Sequence, residues 1–298
     1  MNDVHLKYLA VNPFDLQWGV AVNSVGLQQI APGETYPPGN HPSRYIFNVK
    51  NGRVLEEYQL IYITQGRGKF FCETLGREKA IPISSGMMFV LFPGEWHSYQ
   101  PDPQTGWKEY WIGFNGDFPD TLYSRKLMLK EKPVLKVNIH ENIVALYDEA
   151  IAAAETQASG FQQLLGGIVT RILSLAYFYD KNHPYENSDT ADKVAQAKVL
   201  IQENFQDISP EELAKRLCLS YSSFRKTFKE YTGFSPARYI GEVRMSKAKE
   251  LLTNTSMSIK EVAYHVGYNN HDYFFTAFRH VTGRTPAEYR SMTQGTKI

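Results

Sequence analysis

Arg225, Lys226 and Lys229 follow Tyr221, Ser222 and Ser223 in a stretch where Phe224 and Phe228 repeat at four residues. On a helix that spacing buries the two phenylalanines and leaves the other six side chains pointing outward. The outward set suits a nucleic acid. Arg forks onto guanine, Lys reaches guanine or phosphate, and Ser serves base or backbone. Fifty residues later Phe274 and Phe278 repeat the pattern, and Asn270, His271, Asp272, Phe275, Thr276 and Arg279 take the outward places. Thr and Phe there suit a thymine methyl. A merely solvated helix face is the plain alternative for either set alone.

A duplication positions both sets. Ser209-Pro-Glu-Glu-Leu213-Ala214, Leu217, Ser220, Thr232-Gly233, Pro236 and Tyr239 recur as Ser258-Ile-Lys-Glu-Val262-Ala263, Val266, Asn269, Thr282-Gly283, Pro286 and Tyr289. The offset is 49 up to the turn and 50 after it, so the second turn carries one extra residue. Each copy opens on Ser-x-x-Glu, at Ser209/Glu212 and Ser258/Glu261, the signature of a capping box. Ser220 and Asn269 suit the caps of the helices that follow. Two helix-turn-helix units are expected, at about 210–231 and 259–281. Between them Pro236 to Leu252 reads as one helix about 25 Å long. Such a spacer holds two readers near the ~34 Å of one duplex turn. Two copies fall short of the three or more that a helical solenoid needs.

Charge divides the chain the same way. Lys193–Ile298 carries 16 Lys and Arg against 10 Asp and Glu, whereas the remainder carries 16 against 21. A basic C-terminal part suits a polyanion, and an acidic N-terminal part does not. No apolar run approaches the length of a membrane span. Met1-Asn-Asp-Val-His lacks the features of a secretory signal. Cys72 and Cys218 are the two cysteines, so a reducing, cytoplasmic setting is expected.

Before Asp120 the pattern is that of strands. Tyr58–Thr64 reads as a strand ending at a Gly66-Arg-Gly68 turn, with Gly68–Thr74 as its hairpin partner. Ile81–Gly86, Met87–Phe92 and Trp107–Phe114 follow, which implies an antiparallel sandwich or barrel over about residues 1–120. Tyr45, Tyr62, Phe71, Trp96, Tyr99, Trp107, Tyr110 and Trp111 concentrate here, mostly as core. Arg53 and Glu109 are harder to explain as core, because a buried charge needs a partner. His97 is the single histidine between Tyr45 and Asp120, too few for a facial metal site. It suits a hydrogen-bonded residue in either a structural or a ligand role.

The period then becomes helical. Glu141–Thr156 and Phe161–Tyr179 space their apolar residues as amphipathic helices within a connector at 121–180, a candidate dimerisation element. Residues 181–192 are polar, contain Pro184 and read as a linker before a C-terminal domain at 193–298. The fold class expected is multidomain: an all-β barrel with flanking helices, then an all-α double helix-turn-helix domain.

The C-terminal hundred residues resemble the AraC/XylS family of bacterial transcription regulators. Arg244-Met-x-Lys247-Ala248-x-x-Leu251-Leu252, Gly267-Tyr268 and Thr282-Gly-x-Thr-Pro286-x-x-Tyr289-Arg290 carry the resemblance. It places the base-reading sites near Ser222, Arg225 and Lys226, and near His271, Asp272 and Thr276. Phe275 and Thr276 depart from the more polar residues often found there, so the second reader is expected to discriminate bases less. More loosely, Leu60–Gly68, Gly86–His97 and Trp107–Phe114 resemble the family's cupin-like effector domain. The resemblance implies that Arg53, Tyr99, Glu109 and Trp111 face a ligand. Aromatic faces with hydrogen-bonding groups suit a sugar or similar polyhydroxyl molecule, bound without metal or cofactor. Duplex DNA, a homodimeric second copy and RNA polymerase are the macromolecular partners implied. The alternative, a cupin-type enzyme or DNA-repair protein with DNA-binding helices, finds little support. Cys72 has no evident activating His or Lys, and no Ser/His/Asp constellation can be assigned.

Overall fold

Along β8 (Trp107–Asn115) successive side chains serve two different cores. Trp107 and Trp111 enter one apolar cluster, while Tyr110, Ile112 and Phe114 enter the other. This is the period-2 alternation of a sheet buried on both faces. The computed structural model describes residues 4–37, 48–185 and 189–294, so Tyr45 lies outside them. Two compact units divide the chain, Met1–Pro184 and Tyr185–Ile298.

In the first unit, β1 (Val4–Tyr8), β2 (Ala21–Ile30), β8, β4 (Tyr58–Cys72), β6 (Met87–Leu91) and β9 (Val134–Lys136) lie side by side in that order. The later part of β4 also pairs with β5 (Ile81–Ser84) and β7 (Trp96–Pro101), and β7 pairs with β3 (Arg53–Val54). All these pairings are antiparallel.

The hairpin expected at Gly66-Arg-Gly68 does not form. β4 runs unbroken through it, with a bulge between Ile63 and Gln65 and Gly66 at φ +78°. The bulge and the left-handed glycine bend the strand into a second sheet without ending it. A Cβ at Gly66 would run into the Gly106 carbonyl, so only glycine fits the bend. Ile61, Ile63, Phe70, Cys72, Phe89 and Trp107 fill the space enclosed between the two sheets.

The outer face of the large sheet is covered by α3 (Glu141–Thr156) and α4 (Phe161–Asn182). Tyr147 anchors α3 by donating its buried hydroxyl to Leu60 O at 3.1 Å. β2 bulges between Val22 and Ser24, and α4 supplies the missing partner. The Gln162 side-chain amide accepts from Val22 N at 2.9 Å and donates to Val22 O at 3.0 Å. The region expected to be a purely helical connector opens earlier, with α2 (Asp117–Ser124), and contributes β9 to the sheet. Short α1 (Pro13–Leu16) precedes β2.

The second unit begins with α5 (Asp189–Asn204), whose start falls inside the stretch expected to be linker. α6 (Pro210–Arg216) and α7 (Tyr221–Thr232) form the first pair, and α9 (Ile259–His265) and α10 (His271–Thr282) the second. Between the pairs runs α8 (Pro236–Asn254), and α11 (Pro286–Thr293) closes the chain. Phe224, Phe228 and Ile240 share one core, and Met245, Leu252, Phe274 and Phe278 share the other. α8 therefore threads both cores.

Two caps differ from expectation. Ser209 accepts from Glu212 N, but the Glu212 carboxylate takes Arg216 Nε at 2.9 Å and does not reach back, so of the two Ser-x-x-Glu motifs Ser258/Glu261 alone is a full capping box. The cap of α10 is Asn270, not Asn269, because the inserted residue pushes the helix start one position on. Asn270 Oδ1 is thereby engaged by Tyr273 N at 3.0 Å, which removes that oxygen from base reading. The rest of the duplication is close. Thr232 and Thr282 each donate to the carbonyl four residues back, and Phe228–Tyr239 and Phe278–Tyr289 both cross edge-on at 5.4 Å.

Candidate functional site

The outward faces of α7 and α10 are both solvent-exposed. Ser222, Arg225, Lys226 and Lys229 project from the first, and His271, Asp272, Thr276 and Arg279 from the second. The two faces differ in what is left for a partner. On α7, Lys226 lies 4.0 Å from Glu230, a loose exposed pair of little energetic weight. On α10, Thr276 Oγ1 donates to Asp272 O at 3.0 Å and His271 Nδ1 sits 3.7 Å from the Asp272 carboxylate. Thr276 thus presents its methyl, and Arg279 is the one permanent cation on this face. α10 also exposes Tyr273, which sequence reasoning did not single out although the offset of 50 sets it where Ser223 stands.

Holding the second pair in place is a seam between α8 and the turn that follows α5. Arg244 donates Nε to Phe205 O at 2.7 Å and Nη2 to Gln206 O at 2.8 Å, with its guanidinium over the Tyr268 ring. Gln206 Nε2 in turn donates to His265 O at 2.6 Å. Gly267, at φ +83°, passes so close to Gln206 O that a Cβ would overlap it. A bidentate arginine on backbone carbonyls is a stiff joint.

The first unit holds the other group of singled-out residues. β3 and β7 place Arg53 directly opposite His97. Arg53 donates Nε to His97 Nε2 at 3.3 Å and Nη2 to Tyr99 OH at 2.9 Å. His97 Nδ1 faces Glu95 O at 3.0 Å. A ring nitrogen that accepts from Arg53 leaves Nδ1 as the donor, so the imidazole is neutral. Burial, and secondly the Arg53 charge, hold the His97 pKa down at about 3.

Glu109 is buried on the same interior, and desolvation lifts its carboxyl to about 8 despite the opposing pull of Arg53. Trp111 shares that face, as alternation requires, but its ring lies against Gly26, where a Cβ would collide with it. The indole that meets Tyr99 is Trp107, at 6.2 Å between centroids, and Tyr36 lies across it edge-on at 6.0 Å. Tyr36 was missed, since nothing in its turn-like Tyr-Pro-Pro context links it to a strand some sixty residues on. Arg53, His97 and Tyr99 are thus joined by hydrogen bonds, with Glu109 near enough to feel Arg53. Tyr62 and Tyr110 face the helices instead.

Against known proteins, an AraC-like ligand binding domain matches residues 22–173 and a helix-turn-helix domain matches residues 213–292. The Msm operon regulatory protein of Streptococcus mutans is 25% identical over 95% of this chain and 95% of its own length. The raffinose operon transcriptional regulatory protein RafR of Pediococcus pentosaceus is 27% identical over 82% of this chain and 88% of its own. The lactose operon transcription activator of Staphylococcus xylosus is 26% identical over 80% and 86%. With a ligand-binding match over half its length and a helix-turn-helix match beyond it, the chain belongs to the AraC family of ligand-responsive, DNA-binding transcription regulators.

Proposed function

We propose that the effector is a sugar or a similar neutral polyhydroxylated molecule, bound inside the barrel by Arg53, Tyr99, Glu109 and Trp111 with His97 as the support of Arg53. Loading then changes DNA occupancy through Ser222, Arg225, Lys226 and Lys229 of α7 and His271, Asp272, Thr276 and Arg279 of α10. The observation that carries this reading is the hydrogen-bonded Arg53–His97–Tyr99 group beside a buried Glu109 in an aromatic-walled interior. Burying so many polar and ionisable groups costs free energy that apolar packing avoids, which favours a ligand-binding over a purely structural role. The raffinose and lactose operon relatives support the sugar class. A homodimer and contact with RNA polymerase complete the scheme, in a cytoplasmic setting. α4 leaves Leu164, Tyr177 and Phe178 exposed, as a dimer face would.

The test is isothermal titration of the full chain with raffinose, lactose and arabinose in the presence of a chelator. Binding should survive the chelator and disappear in Arg53→Ala and Trp111→Ala. A tight-binding sugar at a hundredfold excess over its Kd should add roughly 2.7 kcal/mol of stability. If no sugar binds, or if binding needs metal, the effector class is wrong.

A further inference from the structure

Four buried side-chain polar atoms lack a hydrogen-bond partner among the described residues; besides Glu95 Oε2, which has Lys130 Nζ at 3.5 Å, and His140 Nε2, two belong to β8. Those two are Trp107 Nε1 and Glu109 Oε2. The residues are two apart on one strand, so their side chains leave the same face, about 6.6 Å apart at the backbone. That face is the one turned to the interior, where Trp107 is 2% and Glu109 5% exposed. An orphaned buried donor or acceptor costs on the order of 1–3 kcal/mol and is rare in folded proteins. A donor and a carboxyl oxygen on one face of one strand are complementary to a hydroxyl, which both donates and accepts. Glu57 is the internal control. Equally buried, it accepts from Gln59 Nε2 at 3.0 Å and Ser24 Oγ at 3.4 Å.

The groups around Glu109 fix its state. Arg53 comes from β3 with His97 and Tyr99 of β7 on its guanidinium, and Tyr36 and Tyr99 both lie within electrostatic reach of the carboxyl. Directly across, β2 and β4 offer Gln28 and Ile63. Arg53 is the cation that acts on the carboxyl, and it also donates to His97 and Tyr99. Burial outweighs it and lifts the carboxyl to about 8, which favours the neutral acid at pH 7.

We propose that Trp107 and Glu109 jointly read the hydroxyls of the effector, the indole N–H donating to one oxygen and the Glu109 carboxylate accepting from a hydroxyl, so that binding releases the Glu109 proton to solvent. This rests on the effector site proposed above and extends it with a residue, Trp107, and a proton. A ligand bearing O–H donors stabilises the carboxylate, whereas one offering acceptors alone would keep the acid protonated. The pair therefore selects a polyhydroxyl compound. Since the empty site binds a proton and the loaded one does not, affinity rises with pH. The gain is about tenfold per unit until pH reaches about 8, and it levels off above.

Raffinose, lactose and arabinose serve as probes, titrated calorimetrically into the full chain at pH 7 in phosphate and in Tris. The difference in heat between the buffers should correspond to release of close to one proton per site. Glu109→Gln should abolish that release, flatten the dependence of affinity on pH between about 6 and 8, and weaken binding at least tenfold at pH 8. Trp107→Phe keeps the ring and loses the N–H; it should weaken binding about tenfold at every pH while the proton is still released. A ligand-free arm reads the other half: the empty protein should show the infrared stretch of a protonated carboxyl at pH 7, and Glu109→Gln should remove it. Sugar binding without proton release, an unchanged Glu109→Gln titration, or no such stretch would overturn this inference alone. Absence of binding by every sugar would instead remove the effector class on which it stands.

Discussion

Arg225 and Lys229 sit one helical turn apart on α7, and the chemistry of their heads assigns them different work. A guanidinium meets a guanine edge with two parallel hydrogen bonds, whereas an ammonium on a flexible stem is a point charge for phosphate. Arg225→Ala should therefore cost about 1–3 kcal/mol on the preferred site and relax preference at one or two base pairs. Lys229→Ala should weaken every sequence similarly and lower the salt slope by about one. Binding selections on randomised duplexes measure both. An Arg225→Ala protein with unaltered affinity and preference would mean that α7 presents another face. These exposed positions were legible in the sequence because Phe224 and Phe228 fix the buried side and the rest follows by rotation. The barrel interior was less legible. Alternation alone shows that Glu109 and Trp111 share a face, but only the pairing of β3 with β7 brings Arg53 to His97. No periodicity connects Tyr36 or Trp107 to Tyr99.

Elements were read well where one periodic signal dominates. α3 spans Glu141–Thr156 as its spacing implies, and α8 covers the whole stretch expected of the spacer. They were misread where glycine carries two meanings. Gly66 and Gly68 resemble a hairpin turn locally, yet the chain uses the first to bend one long strand, a choice made by pairing with distant β6, β7 and β8. A second departure from regularity, the β2 bulge, tests how such irregularities are sustained. Val22 N–H and C=O are buried and find both partners in Gln162, itself 2% exposed. Gln162→Leu preserves side-chain volume and removes both hydrogen bonds, leaving two backbone groups unsatisfied. The expected loss is about 2–4 kcal/mol, at roughly 1–3 kcal/mol per orphaned group less the gain from apolar burial. Urea unfolding followed through the first unit should show a lower midpoint with an unchanged slope. A loss below about 1 kcal/mol would mean that water reaches the bulge and that α4 is held by its apolar face alone.

At the scale of the whole chain, division of charge and division of core coincide. The two cores of the first unit draw on residues between Leu6 and Tyr179, and the two of the second on residues between Val194 and Tyr289. Each unit thus owns the apolar interior that a domain needs to fold. The excess of basic residues belongs to the second, which carries 16 Lys and Arg against 10 Asp and Glu from Lys193 onward. A fragment of residues 185–298 should therefore fold alone, helical and cooperative, and bind duplex DNA without effector. Its affinity should be governed by counterion release. If α7, α10 and their flanking helices neutralise about six phosphates, log affinity falls against log salt with a slope near −5. The complementary fragment, residues 1–184, should keep any effector binding of the full chain and show no salt-sensitive affinity for DNA. Fluorescence anisotropy on a labelled duplex from about 50 to 200 mM salt, run on both fragments, decides the matter. A flat salt response in 185–298 would place the DNA contacts on uncharged groups, against the reading of Arg225 and Lys229. DNA binding that appears only in the full chain would mean that the first unit takes part in forming the reader.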